Sequence, residues 1–433
     1  MFAVFRPAMA AADFPFMLNS SGEVVADIVA SSPGSSWQKP GAEAAVATIA
    51  VDGVYNQDLV VDRGTLPQTY SVFLGLIPTG RHRLRIERSA RWSASGASLE
   101  LQAVNVRAVT ASDPEYQAIQ YAPIVYARAD TLGHFSDVPM VMWYERLREG
   151  ADEVLQYSVL FSNEDSGTPT DALMARWGRA TDIEYIYRVT FGKNGEIKKE
   201  IFQGMEHDDR RFKGSKIGGH PLILVATPNN CFADTGSSPV QYRLLPIYQD
   251  LSQHSREEVM DRFLFTYSIM AQELAREHKI RPFGITEGEA IGDPRTYLYF
   301  EIQAENRQAG LVMWVKLKGD ARMYSSHRGR EGLVISRTGW YRTTVELPPN
   351  TKPEAIEYIA VECLDLRDPH MLDSDADEGP PPPKAESTLH HISKTFFLDA
   401  RYRPGKSIFE LHRNMSFHPG DFLTFALAVP DRQ

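Results

Sequence analysis

Two carboxylates, Asp182 and Glu184, stand at the start of a segment with the alternation of a half-buried β-strand. Apolar and aromatic residues fill one face of Asp182–Phe191, and both acids fall on the other face, roughly 6.5–7 Å apart. Carboxylates at this spacing suit a divalent cation such as calcium, magnesium or manganese, or a general acid–base pair. A solvated strand end is the alternative interpretation.

The turn that follows this strand gives the two acids a predicted neighbour. Asn194-Gly195 is the sequence signature of a two-residue hairpin turn of type I′. On the register that such a turn imposes, Asp182 faces His207, and side chains directly opposed across a hairpin share one face of the sheet. A bulge near Gly204 would turn His207 to the other face. We therefore predict that Asp182, Glu184 and His207 meet at the open end of the hairpin, as catalytic groups or as metal ligands.

Five segments between residues 121 and 245 follow one another in a characteristic order. They are YAPIVYA (121–127), YSVLFSNED (157–165), GRATDIE (178–184), FQGMEHD (202–208) and GGHPLILVA (218–226). Their order and rough spacing resemble those of the vacuolar-protein-sorting-associated β family and, more remotely, those of the necrosis- and ethylene-inducing-like proteins. The resemblance covers little more than a quarter of the chain.

This resemblance implies a role for the acids. In the necrosis-inducing-like group, the Asp and Glu of the GRATDIE-type heptapeptide hold a divalent metal together with an earlier Asp. Carried over, the likeness implies Asp165, Asp182 and Glu184 as ligands, with His207 nearby. The family heptapeptide has two histidines and a tryptophan where this chain has Arg179, Thr181 and Ile183.

The net charge of the chain indicates which classes of binding partner are unfavourable. The chain has 433 residues and a formal net charge of -10, which argues against nucleic acid or an anionic membrane surface as the main partner. A neutral or cationic ligand, or a carboxylate-bound metal, fits better, and ordinary acidic solubility is the simpler alternative. Cys231 and Cys363 are expected to be free buried thiols, with a single bridge between them as the alternative.

Targeting signals are weak. Arg6-Pro7 interrupts the apolar start of the chain, so no clear signal peptide is predicted. No apolar run approaches the roughly 20 residues that span a bilayer, which predicts a protein without a transmembrane segment. Cytoplasm is the default location, and secretion stays open.

The strand patterns predict an all-β protein of three consecutive sandwich-like domains. The predicted domains are residues 1–112, 113–292 and 293–433. One long helix, at about residues 255–278, is expected in the middle domain because Ser255 and Glu258 form a capping box. Residues 373–387, which are acidic and rich in proline, are expected to form a mobile surface loop rather than a calcium loop, because the required Gly and Glu are absent.

Several other side chains near the predicted site are candidate ligand contacts. His134 and His220 could line the same cleft or be structural, Arg176 and Arg179 could supply a cationic wall, and Trp143–Glu145 could form an aromatic platform for a sugar ring or part of the core. No G-x-S-x-G, H-E-x-x-H or P-loop pattern is present.

Three functional hypotheses follow. The first is a glycan-recognising protein, with cleavage of the glycan left open, whose flanking sandwiches extend the binding surface. Its partner would be a carbohydrate or another small polar ligand. The second is a non-catalytic protein that contacts lipid or a membrane surface, as the resemblance implies. The third is a protein-interaction or structural role, in which Asp182 and Glu184 are solvated.

Overall fold

The computed structural model describes residues 11–164, 166–367 and 384–427. The fold is all-β with several sandwich-like sheets, which confirms the predicted fold class. Asp165, the Arg6-Pro7 segment and residues 373–383 of the acidic loop lie outside the described residues. No helix in the described ranges is long and apolar enough to cross a membrane.

Two compact units make up the described chain. Unit one contains the described residues up to Gly167, then Thr181–Asp250 and Gln272–Arg276. Unit two contains Thr168–Ala180, Leu251–Ala271 and the described residues from Glu277 onward. The predicted domain limits at residues 112 and 292 stay predictions.

The first seven strands of unit one form two antiparallel sheets. These strands are β1 (Ala11–Leu18), β2 (Gly22–Ser31), β3 (Ala45–Val51), β4 (Val54–Val61), β5 (Gln68–Ile77), β6 (Gly80–Arg88) and β7 (Glu100–Val109). One sheet has the order β1-β6-β3-β4 and the other β5-β2-β7. Strand β2 is central in its sheet and is buried along almost its whole length, so both of its faces are covered.

Two further sheets of unit one carry the predicted site. Their strands are β8 (Ile124–Tyr126), β9 (Pro139–Glu149), β10 (Asp152–Phe161), β11 (Asp182–Phe191), β12 (Ile197–Gln203), β13 (Asp209–Arg211), β14 (Lys216–Ile217), β15 (His220–Val225), β16 (Phe232–Ala233), β17 (Gln241–Tyr242) and β18 (Ile247–Tyr248). The larger sheet has the order β13-β12-β11-β10-β9-β18, and the smaller has the order β14-β15-β8-β17, with β16 paired to β15.

A polar seam, formed by Glu23, Leu74, His220 and Arg243, joins the early strands of unit one to the smaller central sheet. His220 is buried, with Nε2 3.1 Å from Glu23 Oε2 and its ring stacked on Phe73 at 4.6 Å between centroids. Arg243 Nη1 donates to the Leu74 carbonyl at 2.9 Å. Buried polar groups need partners, and here the partners come from two sheets.

Unit two contains the remaining strands. They are β19 (Tyr297–Arg307), β20 (Ala309–Leu317), β21 (Met323–Ser325), β22 (Gly339–Glu346), β23 (Ile356–Asp365), β24 (Glu386–Phe396), β25 (Leu411–Phe417) and β26 (Phe422–Ala426). One sheet has the order β22-β19-β24-β25 and the other β21-β20-β23-β26. Side chains from both sheets, among them Phe300, Val315, Ile359 and Ile392, share one buried apolar core, as in a sandwich.

Helices are few and short in the described residues. They are α1 (Tyr116–Gln120), α2 (Thr170–Trp177), α3 (Glu258–Arg262) and α4 (Phe265–Arg276), with 3-10 turns at Ala129–Thr131, Pro294–Thr296, Glu331–Leu333 and Pro353–Ala355.

The single helix predicted at residues 255–278 is wrong in detail. It is two helices, α3 and α4, and α3 has no side-chain cap hydrogen bond. The backbone N–H of Ser255 donates to Glu301 Oε1 at 2.6 Å, so Ser255 is held before the helix begins. Phe263, with φ of -115° and ψ of 70°, ends α3.

Candidate functional site

The hairpin of β11 and β12 has the predicted register away from its turn, but the predicted two-residue type I′ turn is wrong. The Gly192 N–H donates to the Glu196 carbonyl at 2.9 Å, so the loop has three residues, and Gly195 but not Asn194 has a positive φ. Thr190 pairs with Lys199 and Tyr187 with Phe202. The register shifts by one residue only beside the turn, between Thr190 and Phe191. The pairing ends at Tyr187, however, so Asp182 has no strand partner on β12 and does not face His207 across a ladder.

A bulge also changes the predicted faces of β11. On the neighbouring strand, Tyr157 pairs with Tyr187 and Ser158 pairs with Tyr185, which leaves Ile186 as the extra residue. As a result, Tyr185 and Arg188, predicted to lie on opposite faces, are in contact, with the guanidinium 4.0 Å from the ring centroid. The strict alternation expected for the segment therefore fails at Ile186.

His207 lies in a tight turn rather than on a strand. After β12 the chain turns back into β13, and the N–H of Gly204 donates to the Asp208 carbonyl at 2.8 Å. His207 has φ of 56°, in the left-handed region that non-glycine residues rarely adopt. The turn directs its imidazole back toward β11, so Glu184 and His207 meet although the predicted strand pairing does not occur.

Four side chains form what we call the His207 cluster: Glu184, Gln203, His207 and Asn229. Gln203 Nε2 lies 2.6 Å from Glu184 Oε2 and 2.8 Å from His207 Nδ1. Asn229 Nδ2 lies 2.8 Å from His207 Nε2, and Glu184 Oε1 lies 3.7 Å from His207 Nδ1. The His207 side chain is 47% exposed and that of Glu184 is 13% exposed, so the imidazole forms the accessible surface.

The amide contacts fix the orientation of the imidazole. The amide N–H₂ group of Gln203 donates to the Glu184 carboxylate, so the same group also donates to His207 Nδ1, which must accept. The amide nitrogen of Asn229 lies beside the other ring nitrogen, 2.8 Å from Nε2. Side-chain amides on both sides of the ring thus hold the His207 imidazole in one orientation.

Asp182 is buried and does not belong to the accessible His207 cluster. It is only 1% exposed, Oδ1 accepts from the Ile183 N–H at 2.8 Å, and Oδ2 accepts from Asn230 Nδ2 at 3.1 Å. Asn230 also donates to the Asn163 carbonyl at 3.3 Å. Through its hydrogen bond with Asn230, Asp182 stabilises the loop between β15 and β16.

Cys231 packs against the His207 ring. Its sulfur lies 3.6 Å from Nε2 and 3.8 Å from Nδ1, and this near-equal spacing is not that of a thiol aligned with one ring nitrogen. Burial, aided by the negative charges of Glu184 and Asp182, raises the pKa of the thiol to about 11. A thiol with this pKa stays protonated at neutral pH, so the arrangement differs from an activated cysteine–histidine pair.

The predicted metal site can be tested against the donor atoms. The described part of the chain contains no group of three or more His, Cys, Asp or Glu side chains arranged to hold a metal ion. Both oxygens of Asp182 and one of Glu184 already accept protein hydrogen bonds. Asp182, Glu184 and His207 therefore do not form such a group among the described residues. Because Asp165 lies outside the described residues, the site with all four predicted ligands stays a prediction.

Most of the other candidate ligand contacts have structural surroundings. Trp143 is completely buried and Tyr144 nearly so, which excludes an exposed aromatic platform. Arg179 is buried and pairs with Glu257 at 3.2 Å. His220 belongs to the polar seam, and the guanidinium of Arg176 lies over the Trp177 ring. His134 is exposed. As predicted, Cys231 and Cys363 are free and buried.

Two members of the cluster were not foreseen in the sequence. Gln203 is the last residue of β12, and Asn229 lies in the ATPNNC turn between β15 and β16. A polar turn directly after the apolar β15 was the available signal. Gly167 supports this turn closely, since a Cβ on it would lie 2.4 Å from the Asn229 side-chain carbon.

Comparisons with known proteins give distant structural matches only. No family model matches the chain, and no curated protein matches it. Among solved structures, it is similar to the CBM36-1 domain of a multidomain xylanase from the hindgut metagenome of Trinervitermes trinervoides, with 11% identity over 23% of this chain and 72% of that chain, at a TM-score of 0.19. It is also similar to a CBM35 from Cellvibrio japonicus Abf62, with 14% identity over 23% of this chain and 70% of that chain, at a TM-score of 0.17.

A third match is a family two carbohydrate esterase from Clostridium thermocellum in complex with cellohexaose. Identity is 15% over 30% of this chain and 34% of that chain, at a TM-score of 0.16. Scores this low support no inference about the ligand of the present chain. None of these three proteins comes from the families that residues 121–245 resemble, so that resemblance stays a prediction.

Proposed function

We propose that the His207 cluster binds a neutral, hydroxyl-rich ligand, and that a glycan is its natural ligand class. The observation that carries this proposal is the half-exposed imidazole held in one orientation by Gln203 and Asn229. Fixed amide, imidazole and carboxylate groups can donate to and accept from sugar hydroxyls. Such preorganised polar groups bind without an ordering cost at the moment of association.

The contacts support glycan binding rather than glycan hydrolysis. Glycoside hydrolysis generally uses two carboxyl groups that flank the scissile bond. Here Glu184 is partly accessible, whereas Asp182 is buried and hydrogen-bonded to Asn230. The cluster therefore supplies one carboxylate to a ligand.

A glycan array probed with the purified chain tests the proposal. We expect wild-type protein to retain one or more neutral glycans, and His207→Ala and Glu184→Gln to lower the affinity roughly three- to tenfold, the value of about one hydrogen bond. Arg210→Ala is the matched control, because it lies on β13 of the same hairpin and pairs with Asp208 at the surface.

Two results would contradict recognition at this cluster. One is an array on which no hydroxyl-rich ligand is retained. The other is retention that is equal for wild type and His207→Ala. A chelator added to the same assay tests the predicted cation separately, and loss of binding on chelation would restore the metal prediction that includes Asp165.

A further inference from the structure

A cavity within unit two, apart from the His207 cluster, has the features of a ligand site. Its volume is about 680 Å³, which is in the range of small-molecule pockets. We call it the Arg328 cavity, and the lining residues used below are Phe283, Trp314, Tyr324, Arg328 and Glu346. None of them belongs to the His207 cluster.

One wall of the Arg328 cavity is aromatic and held in place. The rings of Phe283 and Tyr324 lie 5.9 Å apart between centroids, and the indole N–H of Trp314 donates to Glu362 Oε2 at 2.7 Å. That hydrogen bond fixes the plane of the indole. Flat apolar ring faces of this kind pack against the C–H faces of a ligand ring while its polar edge bonds elsewhere.

Arg328 is the arginine of this cavity whose terminal nitrogens have no hydrogen-bond partner among the described residues. Burial raises the pKa of Glu346, and the positive charge of Arg328 partly opposes that rise. Two other arginines line it, but Arg322 pairs with Asp320 and Arg330 with Asp171. Both terminal nitrogens of Arg328 are buried and make no hydrogen bond within the described residues. A buried guanidinium without acceptors is costly, so its donors call for oxygen atoms from outside the chain.

The backbone of Arg328 has an unusual conformation. Arg328 has φ of 51°, in the left-handed region, and the next residue, Gly329, has φ of 73°. The N–H of Arg328 donates to Ser325 Oγ at 3.1 Å, which holds the turn. Strained non-glycine residues of this type cluster at ligand sites, where the surrounding structure fixes them.

Glu346 supplies the complementary half of the site. Its Oε2 accepts from Thr286 Oγ1 at 2.8 Å, whereas its Oε1 is buried and accepts no hydrogen bond from any described residue. The cavity thus contains unused donors on Arg328 and an unused acceptor on Glu346. A hydroxyl group can satisfy either, because it both accepts and donates.

Because Arg328 and Glu346 carry opposite charges that already act on each other, their unbonded atoms distinguish between ligand charges. An anionic ligand would satisfy Arg328 but would meet the negative charge of Glu346, and a cationic ligand would meet the opposite problem. A neutral ring that carries several hydroxyl groups satisfies both and packs on the aromatic wall. We propose that the Arg328 cavity binds one pyranose ring of a neutral saccharide, as a second site independent of the His207 cluster.

Equilibrium binding with defined oligosaccharides tests this second site. The probes are the neutral hexasaccharides of glucose, xylose, mannose and galactose, with tri-galacturonate as the charged counterpart. We expect binding of at least one neutral probe and quenching of tryptophan fluorescence, since Trp314 lines the cavity. Arg328→Gly should weaken that binding at least tenfold and Glu346→Gln at least threefold.

The variants separate loss of contact from loss of fold. Arg328→Gly introduces the residue that tolerates the observed φ, so its melting temperature should not fall below that of wild type. Arg322→Ala is the control, because Arg322 lines the same cavity but is 67% exposed and paired with Asp320. It should change affinity less than twofold.

Each outcome decides between the two sites. A tenfold loss in Arg328→Gly with no change in His207→Ala supports the second site alone, and the reverse pattern overturns it while the function proposed for the His207 cluster stands. Binding of tri-galacturonate in preference to every neutral probe would overturn the neutral saccharide. So would affinities for all neutral probes within twofold of wild type in Arg328→Gly, or no detectable binding of any probe.

Discussion

Replacement of Arg342 by methionine should destabilise unit two strongly. Arg342 is completely buried on β22, and its Nε donates to Glu301 Oε2 at 2.8 Å. Its two terminal nitrogens donate to the two carboxylate oxygens of Asp261 at 3.0 and 2.9 Å, and Nη1 also donates to the Tyr267 hydroxyl at 2.7 Å. Methionine fills a similar volume but leaves both carboxylates without this partner.

The expected magnitude follows from the partners that remain. Removing one member of a buried ion pair costs about 3–5 kcal/mol. Lys394 Nζ still contacts Asp261 at 2.8 Å, and the Ser255 N–H still donates to Glu301 at 2.6 Å. We therefore expect the lower end, about 3 kcal/mol of unfolding free energy. Urea unfolding should show it as a fall of roughly 1 M or more in the midpoint.

The effect should depend on pH. Burial acts to raise the pKa of Asp261, but the charges of Arg342 and Lys394 outweigh it and hold that pKa below its ordinary value. A depressed carboxylate pKa stabilises the fold above the unfolded-state value of about 3.9, and that stability is lost as pH falls through the folded-state pKa. The difference between wild type and Arg342→Met should therefore shrink in acid.

A compensating variant provides the control. Adding Glu301→Gln to Arg342→Met removes one unpaired buried charge, so the double variant should recover about 1 kcal/mol or more of the loss. Arg322→Ala, which removes an exposed pair with Asp320, should cost well under 1 kcal/mol. A loss below about 1 kcal/mol in Arg342→Met, or no recovery in the double variant, would refute the reasoning.

Three further predictions concern single side chains. The Nδ1–H of His82 donates to Asp52 Oδ2 at 2.7 Å, and this hydrogen bond raises the pKa of His82, so the stability that the charged imidazole contributes is lost as pH rises through the folded-state pKa. Asp52→Asn should lower this pKa in an NMR titration, and an unchanged titration would contradict the assignment. Gly178 has φ of 62° and ends α2, so Gly178→Ala should cost about 1–2 kcal/mol or more in urea unfolding, and a neutral result would show that the turn relaxes freely. Cys231, with a pKa of about 11 caused mainly by burial, should react with a thiol reagent at pH 8 far more slowly in the native than in the unfolded chain, and equal rates would disprove its burial.

The sequence predicted the parts of the fold that rest on local rules. The Asn194-Gly195 pair correctly predicted a hairpin at this position, and Thr190 does pair with Lys199, although the loop has three residues rather than two and a register shift beside the turn restores the pairing. Alternating patterns predicted an all-β chain because a period of two is visible in a few residues. The predicted approach of Glu184 and His207 also occurs, although a turn rather than a ladder produces it.

The remaining features depend on contacts that no local pattern records. The bulge at Ile186 arises from pairing with β10, which is distant in sequence from the hairpin turn. The helix predicted at residues 255–278 starts late because Ser255 is held by Glu301, 46 residues away. Gln203 and Asn229 belong to the cluster because two different sheets bring their side chains to the His207 imidazole.

The polar seam of unit one bears on how the chain could be divided or recombined. A cut after residue 112 would leave the Glu23 carboxylate without His220 and the His220 ring without its stacking partner Phe73. Arg243 would lose the Leu74 carbonyl as well. The first seven strands therefore depend on contacts with later residues and cannot be exchanged as an independent module. A chimera at this junction must carry both sides of the seam, or Glu23 and His220 will lose their hydrogen-bond and stacking partners.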